Sequence, residues 1–449
     1  MLRFGTDGVR GVALRDITTH AVQLYARAAA RELRCPLFVI GFDTRESSVQ
    51  LARAVQAGFV AEGVEVLWAG MCPTPAVAFY AEHCQAGAAV ITASHNPYTD
   101  NGLKFFGEGG IKLTDEEESR IQNTYESLVQ SETTEVINVG DVDDTLDLDA
   151  YCAHICASIT EVATEATLVI DCANGAMSEV APRVFKKLGL APRFIHSSPN
   201  GKNINEACGA AHPESLMKEV IRSNADLGIA FDGDGDRIIA VDGNGELVNG
   251  DQLIALFALQ LKVRNALANN TVAVTVMTNM GFHIAMENAG INVVTTSVGD
   301  RSILLALQEA KACLGGEQSG HIVFTQHATT GDGLLAAVQL LSVLRSRKQN
   351  LRSAAQEAMT SLPQVLINVP IQGDVTPQNL LNENRGVISE VEQLLRGMGR
   401  VFVRASGTEP LVRVMVEAGT SAEAQKYAER IANASVSYTH LTLPTKRIV

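Results

Sequence analysis

No stretch of this 449-residue chain is apolar enough to cross a membrane. The longest candidate, 334–344 (LLAAVQLLSVL), falls short of the roughly 18 residues a span requires and reads as a buried helix. The opening MLRFGTDGVRG carries no secretory leader pattern. The eight cysteines include no Cys-x-x-Cys pair and no zinc-ligand spacing, and scattered thiols suit a reducing compartment. Cys152 and Cys156, one helical turn apart, read as helix packing. A basic surface is missing as well: the formal net charge is −14, which disfavours nucleic acid as a partner while leaving small anionic substrates open. Aromatics make up only 5% of residues, with Trp68 the single tryptophan. No G-x-S-x-G elbow occurs, so esterase chemistry has no support. The expectation is a cytoplasmic, soluble protein with neither a membrane nor a nucleic-acid partner.

What the chain does have is an ordinary globular composition, 46% hydrophobic and 19% charged, and length for several cores. Helical and strand patterns alternate along it. Helices are predicted over 19–34, 47–63 and 74–85, with strands over 36–43, 64–70 and 87–95. Such crossover spacing implies a mostly parallel sheet. The pattern recurs with strands 166–175, 190–196 and 226–232, helices 178–188 and 214–224, and a hairpin over 238–248. It recurs again with helices 251–267, 281–288 and 301–311 and strands 271–279 and 292–299. From about 364 the character shifts, and strands 365–371, 400–407 and 411–419 with helices 385–397 and 421–434 suggest a small α+β domain. The expected fold is three successive mixed or parallel α/β domains (1–155, 156–255 and 256–363) followed by a smaller α+β domain (364–434). The last stretch, 435–449 (SVSYTHLTLPTKRIV), reads as foreign to the domain before it.

The most informative run is Phe-Asp-Gly-Asp-Gly-Asp-Arg at 231–237. Asp232, Asp234 and Asp236 crowd three carboxylates into five residues, a costly arrangement for bare anions. A hard divalent cation reverses that cost, and Mg²⁺ usually works beside a phosphate. An acidic turn is the bland alternative, since Asp and Gly favour turns. An EF-hand is unlike this run: counting from Asp232, position six is Arg237 where Gly belongs, and position twelve is Gly243 where Glu belongs.

TASHNPYTDNGLKFF (92–106) begins where a predicted strand ends, the place where ligands bind in parallel α/β sheets. It offers Ser94, His95 and, ten residues beyond Ser94, Lys104 in an apolar strand, where a lysine could also simply snorkel. RASGTEPLVR (404–413) sets Arg404, Ser406, Thr408 and Arg413 around a turn with Gly407, which suits a phosphate. A polar hairpin turn is the alternative. GEQSGH (316–321) brings Glu317, Gln318, Ser319 and His321 together, groups suited to sugar hydroxyls. VGDR (298–301) offers Arg301, and the Gly-rich loop FGTDGVRG (4–11) offers Thr6 and Arg10.

These five motifs, FGTDGVRG, TASHNP, FDGDGDR, GEQSGH and RASGTEPLVR, occur in this order, one or two per predicted domain. In this the chain resembles the α-D-phosphohexomutases, most closely their bacterial amino-sugar branch, over about residues 3–434. The resemblance implies four domains around a central cleft. It implies that Ser94 carries a phosphoryl group and that Asp232, Asp234 and Asp236, with a phosphoserine oxygen, hold one Mg²⁺ per subunit. It implies that Glu317 and Ser319 bind sugar hydroxyls, and that Arg404, Ser406, Gly407, Thr408 and Arg413 hold the non-reacting phosphate. Arg10, His95, Lys104 and Arg237 then surround the reacting phosphoryl, with either His95 or Lys104 as the base. The implied reaction interconverts glucosamine 6-phosphate and glucosamine 1-phosphate through a 1,6-bisphosphate, with glucosamine or glucose 1,6-bisphosphate as activator. The product would feed UDP-N-acetylglucosamine and cell-wall synthesis. The resemblance also admits a homodimer. A glucose or mannose phosphate mutase is the near alternative, and a metal-dependent sugar phosphatase the farther one.

Overall fold

Residues 2–5, 7–131, 145–162, 165–370, 382, 384–405 and 411–441 are described in the computed structural model. They fall into two compact units, one of residues 1–278 and 289–358, the other of 279–288 and 359–449.

The first unit contains three sheets. In the first, strands Val9–Val12 (β1), Leu37–Phe42 (β2), Glu65–Met71 (β3), Gly87–Ile91 (β4) and Asp100–Gly107 (β5) take the order β1-β5-β4-β2-β3, and Ile111–Lys112 (β6) pairs with β5. β2 is parallel to β3 and β4, while β5 runs antiparallel to β4 and β1. The sheet is therefore mixed, and the end of the segment read as a Gly-rich loop at 4–11 belongs to its edge strand, Val9–Val12. The centre strand β4, Gly-Ala-Ala-Val-Ile, is buried throughout, as a strand covered on both faces must be. Helix Thr19–Leu33 covers one face with an apolar stripe; its N-cap Thr18 accepts from Ala21 N at 3.1 Å. A helix over Asp115–Ser131 follows β6, with four acidic residues in its first turn that favour the positive end of the helix dipole.

Strands Leu168–Asp171 (β7), Arg193–Ile195 (β8), Leu227–Phe231 (β9), Ile238–Asp242 (β10) and Leu247–Val248 (β11) form the second sheet in the order β11-β10-β9-β7-β8. β9 and β10 are antiparallel, so the three-aspartate run is the connection between them. The third sheet, β13-β12-β14-β15, contains Thr271–Thr275 (β12), Asn292–Thr296 (β13), Leu314–Gly316 (β14) and Ile322–Phe324 (β15). GEQSGH is its β14–β15 connection. The apolar run 334–344 lies inside helix Gly333–Arg347, started by Asp332, whose side chain accepts from Leu335 N at 2.9 Å. Eleven of that helix's fifteen residues are buried, so the apolar run is core.

The second unit holds the sheet β16-β18-β17, made of Gln364–Pro370 (β16), Arg400–Ala405 (β17) and Leu411–Glu417 (β18), all antiparallel. Val412, Val414 and Val416 alternate toward a core with Ala424, Ala428 and Ile431 of the last helix. Buried Glu417 accepts two bonds from Arg400, at 3.0 and 3.1 Å, and one from Met280 N at 2.8 Å. The last helix, Ser421–Leu441, extends past the expected end at 434, so the first seven residues of the tail continue a helix.

Candidate active site

Ser94 lies three residues past the end of β4. Its φ is +51°, a left-handed conformation that costs a non-glycine residue on the order of 1–2 kcal/mol. The side chain is 1% exposed. Its Oγ donates to Asp232 Oδ2 at 2.6 Å and lies 3.3 Å from His95 Nδ1. Two motifs separated by 138 residues thus meet because the ends of β4 and β9 face each other. Gly233 permits the approach: a Cβ there would stand 2.6 Å from the Ser94 carbonyl oxygen. Gly235 has φ +76°, which lets the loop turn back into β10.

Asp232, Asp234 and Asp236 are all buried, and one oxygen from each lies within 4.8 Å of the others. Asp234 Oδ1 and Asp236 Oδ1 have no hydrogen-bond partner among the described residues, though the Arg237 Nε is 3.8 Å from the latter. Buried carboxylate oxygens without partners are costly. A hard cation bound by oxygens satisfies them, so the donor set fits Mg²⁺.

Electrostatics around the triad are divided. Burial and the neighbouring carboxylates of Asp236 and Asp234 push Asp232 well above the usual carboxylate range. Burial also acts to raise Asp236, but Lys104, His321 and Arg237 together hold it well below that range. Lys104, 3% exposed, is no snorkelling lysine. Its Nζ lies 2.9 Å from Asp234 Oδ2, 3.3 Å from Asp236 Oδ2 and 2.8 Å from Asp7 Oδ2. Burial opposes its charge, yet these three carboxylates raise its pKa well above lysine's ordinary value. His95 behaves in the opposite way: burial, then the charges of Arg237 and Arg10, lower its pKa and favour the neutral imidazole.

Around this centre the other expected residues divide. Arg237 donates its backbone N–H to Asp232 Oδ1 at 3.2 Å. His321 is buried, with Nδ1 3.8 Å from Asp236 Oδ2. Arg10 reaches the Ala93 carbonyl at 3.4 Å and pairs with Asp7 at 2.5 Å. The GEQSGH turn docks on the metal-loop strand through Ile238 N donating to Gly320 O at 3.0 Å. Within the turn, Glu317 accepts from Gly299 N at 3.0 Å and from Ser319 Oγ at 3.3 Å. Arg301 is engaged elsewhere: it forms ion pairs with Asp115 and Glu118 of the helix after β6. In the second unit Arg404 and Arg413 face each other across the β17–β18 pair. Thr6, Ser406, Gly407 and Thr408 lie outside the described residues.

Several contributors escaped the sequence reading. Thr74 donates to Asp234 Oδ2 at 2.8 Å, and its N–H bonds to the Asp234 carbonyl at 2.9 Å. Asp7 joins Lys104, Lys112 and Arg10, and Lys112 pairs onward with Asp300 at 2.7 Å. An acid three residues before Arg10 in the same loop was the available signal for Asp7. A second cluster, Asp171, His196 and Cys208, has close side chains too. Asp171 already accepts from Ala173 N at 2.8 Å and Gly209 N at 3.0 Å, and His196 Nδ1 sits 3.0 Å away, so this set reads as a structural ion pair.

Family models of the phosphoglucomutase/phosphomannomutase α/β/α domains I, II and III match residues 1–132, 149–245 and 249–362, and that of the C-terminal domain matches 366–434. The chain belongs to the phosphoglucomutase/phosphomannomutase family. It is 46% identical over 445 residues to a phosphoglucosamine mutase of Pelotomaculum thermopropionicum, covering 96% of this chain and 98% of that protein. It is 45% identical over 443 residues to a phosphoglucosamine mutase of Salinispora tropica, covering 96% and 97%. Among solved structures, a phosphoglucomutase/phosphomannomutase family protein from Burkholderia thailandensis superposes with a TM-score of 0.80 at 23% identity, covering 96% of this chain and 97% of that one. An Aspergillus fumigatus N-acetylphosphoglucosamine mutase, solved with GlcNAc-6P and magnesium, gives 0.66 at 20% identity, covering 96% and 95%. At those identities the two structures speak for the fold alone.

Proposed function

We propose that this protein interconverts glucosamine 6-phosphate and glucosamine 1-phosphate, with Ser94 as the phosphoryl carrier. The observation that carries the reading is the 2.6 Å contact of a buried, left-handed Ser94 with Asp232 of a carboxylate triad. The naming of the relatives at 44–46% identity supports the amino-sugar substrate. Phosphoryl transfer depends on positioning and on neutralising charge spread over the phosphoryl oxygens. Asp232, Asp234 and Asp236 would hold Mg²⁺, which when bound supplies that neutralisation beside the phosphoserine.

The residues then divide the work. In the forward direction the Ser94 Oγ–P bond breaks and a bond from phosphorus to the sugar O1 forms, the O1 proton leaving and Ser94 Oγ taking one up, which gives the 1,6-bisphosphate. After the bisphosphate turns over, its 6-phosphoryl passes to Ser94 Oγ and glucosamine 1-phosphate leaves. Ser94 is a weak nucleophile and must lose its proton on this return. Two bases were open on sequence grounds. Lys104 is a poor one, because three carboxylates hold its proton. His95 lies 3.3 Å from Oγ, and burial with the charges of Arg237 and Arg10 lowers its pKa, which favours a proton-accepting imidazole, so we assign it the proton. Lys104 and Arg237 serve as fixed positive charge beside the reacting phosphoryl. Glu317 and Ser319 meet sugar hydroxyls, with His321 behind them. Arg404 and Arg413 lie directly opposite across two strands, and two guanidinium forks so placed suit a phosphate. Binding of the non-reacting phosphate there, at the turn that also carries Ser406, Gly407 and Thr408, is part of the proposal. So are the activating bisphosphate, a supply of product to UDP-N-acetylglucosamine synthesis, a cytoplasmic location and a homodimer.

Relative kcat/KM for the 6-phosphates of glucosamine, glucose and mannose tests the substrate. Glucosamine 6-phosphate is expected to lead by at least tenfold, about 1.4 kcal/mol of transition-state discrimination. If it were the poorest of the three, the assignment would be wrong. Release of inorganic phosphate matching turnover would instead support a phosphatase.

A further inference from the structure

Arg45 is the bulkiest fully buried side chain among the described residues, and it touches none of the metal-loop carboxylates. It sits two residues beyond Asp43, at the C-terminal end of β2, beside β4. Its two Nη atoms spread over the 94–100 segment. Nη2 donates to the Ser94 carbonyl and the Asn96 carbonyl, both at 2.9 Å. Nη1 donates to the Asp100 carbonyl at 2.9 Å and to the Pro97 carbonyl. Nε pairs with Asp43 Oδ2 at 2.8 Å.

Asp43 closes a circuit. It accepts from the Thr92 hydroxyl at 2.7 Å, and Thr92 Oγ1 accepts from the backbone N–H of Ser94 at 2.9 Å. Both sides of Ser94 are therefore tied to one buried ion pair, its N–H through Thr92 and Asp43, its carbonyl directly to Arg45. A second side chain, Asn205 from the other α/β domain, donates to the same two carbonyls, Ser94 at 2.8 Å and Asn96 at 3.0 Å. A serine with φ +51° does not hold that conformation by its own preference. The planar five-donor fork of arginine can hold four carbonyls at once, which a lysine ammonium cannot.

We infer that Arg45 is a positioning residue for phosphoryl transfer: with Asn205 it clamps the Ser94 and Asn96 carbonyls and so aims Ser94 Oγ at the metal loop. The inference rests on the reading of Ser94 as phosphoryl carrier. Displacing a reacting atom by about 1 Å costs on the order of 100-fold in rate. Removing the clamp therefore lowers kcat and leaves substrate binding alone.

The test uses the full-length protein with Mg²⁺, carrying Arg45→Lys, Asn205→Ala or both. Each is compared with the unaltered protein and with Ser94→Ala for kcat, KM, melting temperature and the fraction of Ser94 phosphorylated. Arg45→Lys is expected to lower kcat about 30- to 100-fold and Asn205→Ala about 10-fold, with KM for glucosamine 6-phosphate within threefold. Because both side chains hold the same carbonyls, the double variant should fall well short of the product of the two losses. An unchanged kcat in a folded, Ser94-phosphorylated Arg45→Lys would overturn the inference. So would multiplicative losses, or a rise in KM in place of the fall in kcat. If Arg45→Lys does not fold, Asn205→Ala decides alone, since it removes no charge: kcat within twofold of the unaltered protein contradicts the clamp. Activity retained by Ser94→Ala would instead defeat the underlying reading of Ser94, so the two failures are told apart.

Discussion

Ser94→Ala is expected to lower mutase turnover by on the order of 10⁴-fold or more while the protein stays folded. The side chain is small, and its only polar contacts among the described residues are Asp232 and His95. Losing a bond to one carboxylate costs the fold about 1–2 kcal/mol, which a protein of this size tolerates. The proposed chemistry, by contrast, loses the atom that would form and break the bond to phosphorus. Circular dichroism and melting temperature near those of the unaltered protein, alongside abolished turnover, are the expected pair. Turnover like that of the unaltered protein would remove Ser94 from the mechanism.

Lys104→Met has the second large effect, and it acts on fold and rate together. Methionine keeps most of the volume and deletes the charge. Asp7, Asp234 and Asp236 then lose the ammonium that lies within 3.3 Å of all three. Removing one partner of a buried ionic cluster costs about 3–5 kcal/mol, and Lys104 is 3% exposed, so solvent screening offers little relief. The same carboxylates can be neutralised by a divalent cation. Added Mg²⁺ should therefore raise the melting temperature of Lys104→Met more than that of the unaltered protein. Turnover should still fall about 100-fold or more, because the fixed positive charge beside the phosphoryl is gone. Equal Mg²⁺ stabilisation of both proteins would show that Lys104 and the cation do not share the carboxylates.

The carboxylate run was the plainest signal because its chemistry is concentrated: three carboxylates in five residues are costly without a cation, and the fold does bring one oxygen of each within 4.8 Å of the others. Ser94 was legible by position, at the end of a strand in an α/β pattern. The partners that give these residues their properties were not, since they are distant in sequence. Thr74 lies 160 residues from Asp234, and Asn205 lies 111 from Ser94. Only the packing of sheets decides that they meet. Arg45 had a weak signal, a charged residue in the polar loop after β2, but nothing local distinguishes a clamp from a solvated loop arginine. Arg301 has neighbours that its sequence context does not reveal. Its loop follows a strand as ligand-binding loops do, yet acidic residues of the helix after β6 sit within reach and take it. The edge strand β1 was missed because Val-Arg-Gly-Val is short, follows Gly8 and contains Gly11, and its pairing with β5 is a long-range contact.

The central claim is that phosphate travels on Ser94. Intact mass with phosphopeptide mapping, before and after incubation with glucosamine 1,6-bisphosphate and Mg²⁺, tests it most directly. One phosphoryl group per chain on Ser94, gained from the bisphosphate and lost to glucosamine 6-phosphate, is the expected result. Phosphate found only at other residues, in a protein that still turns over substrate, would contradict the account.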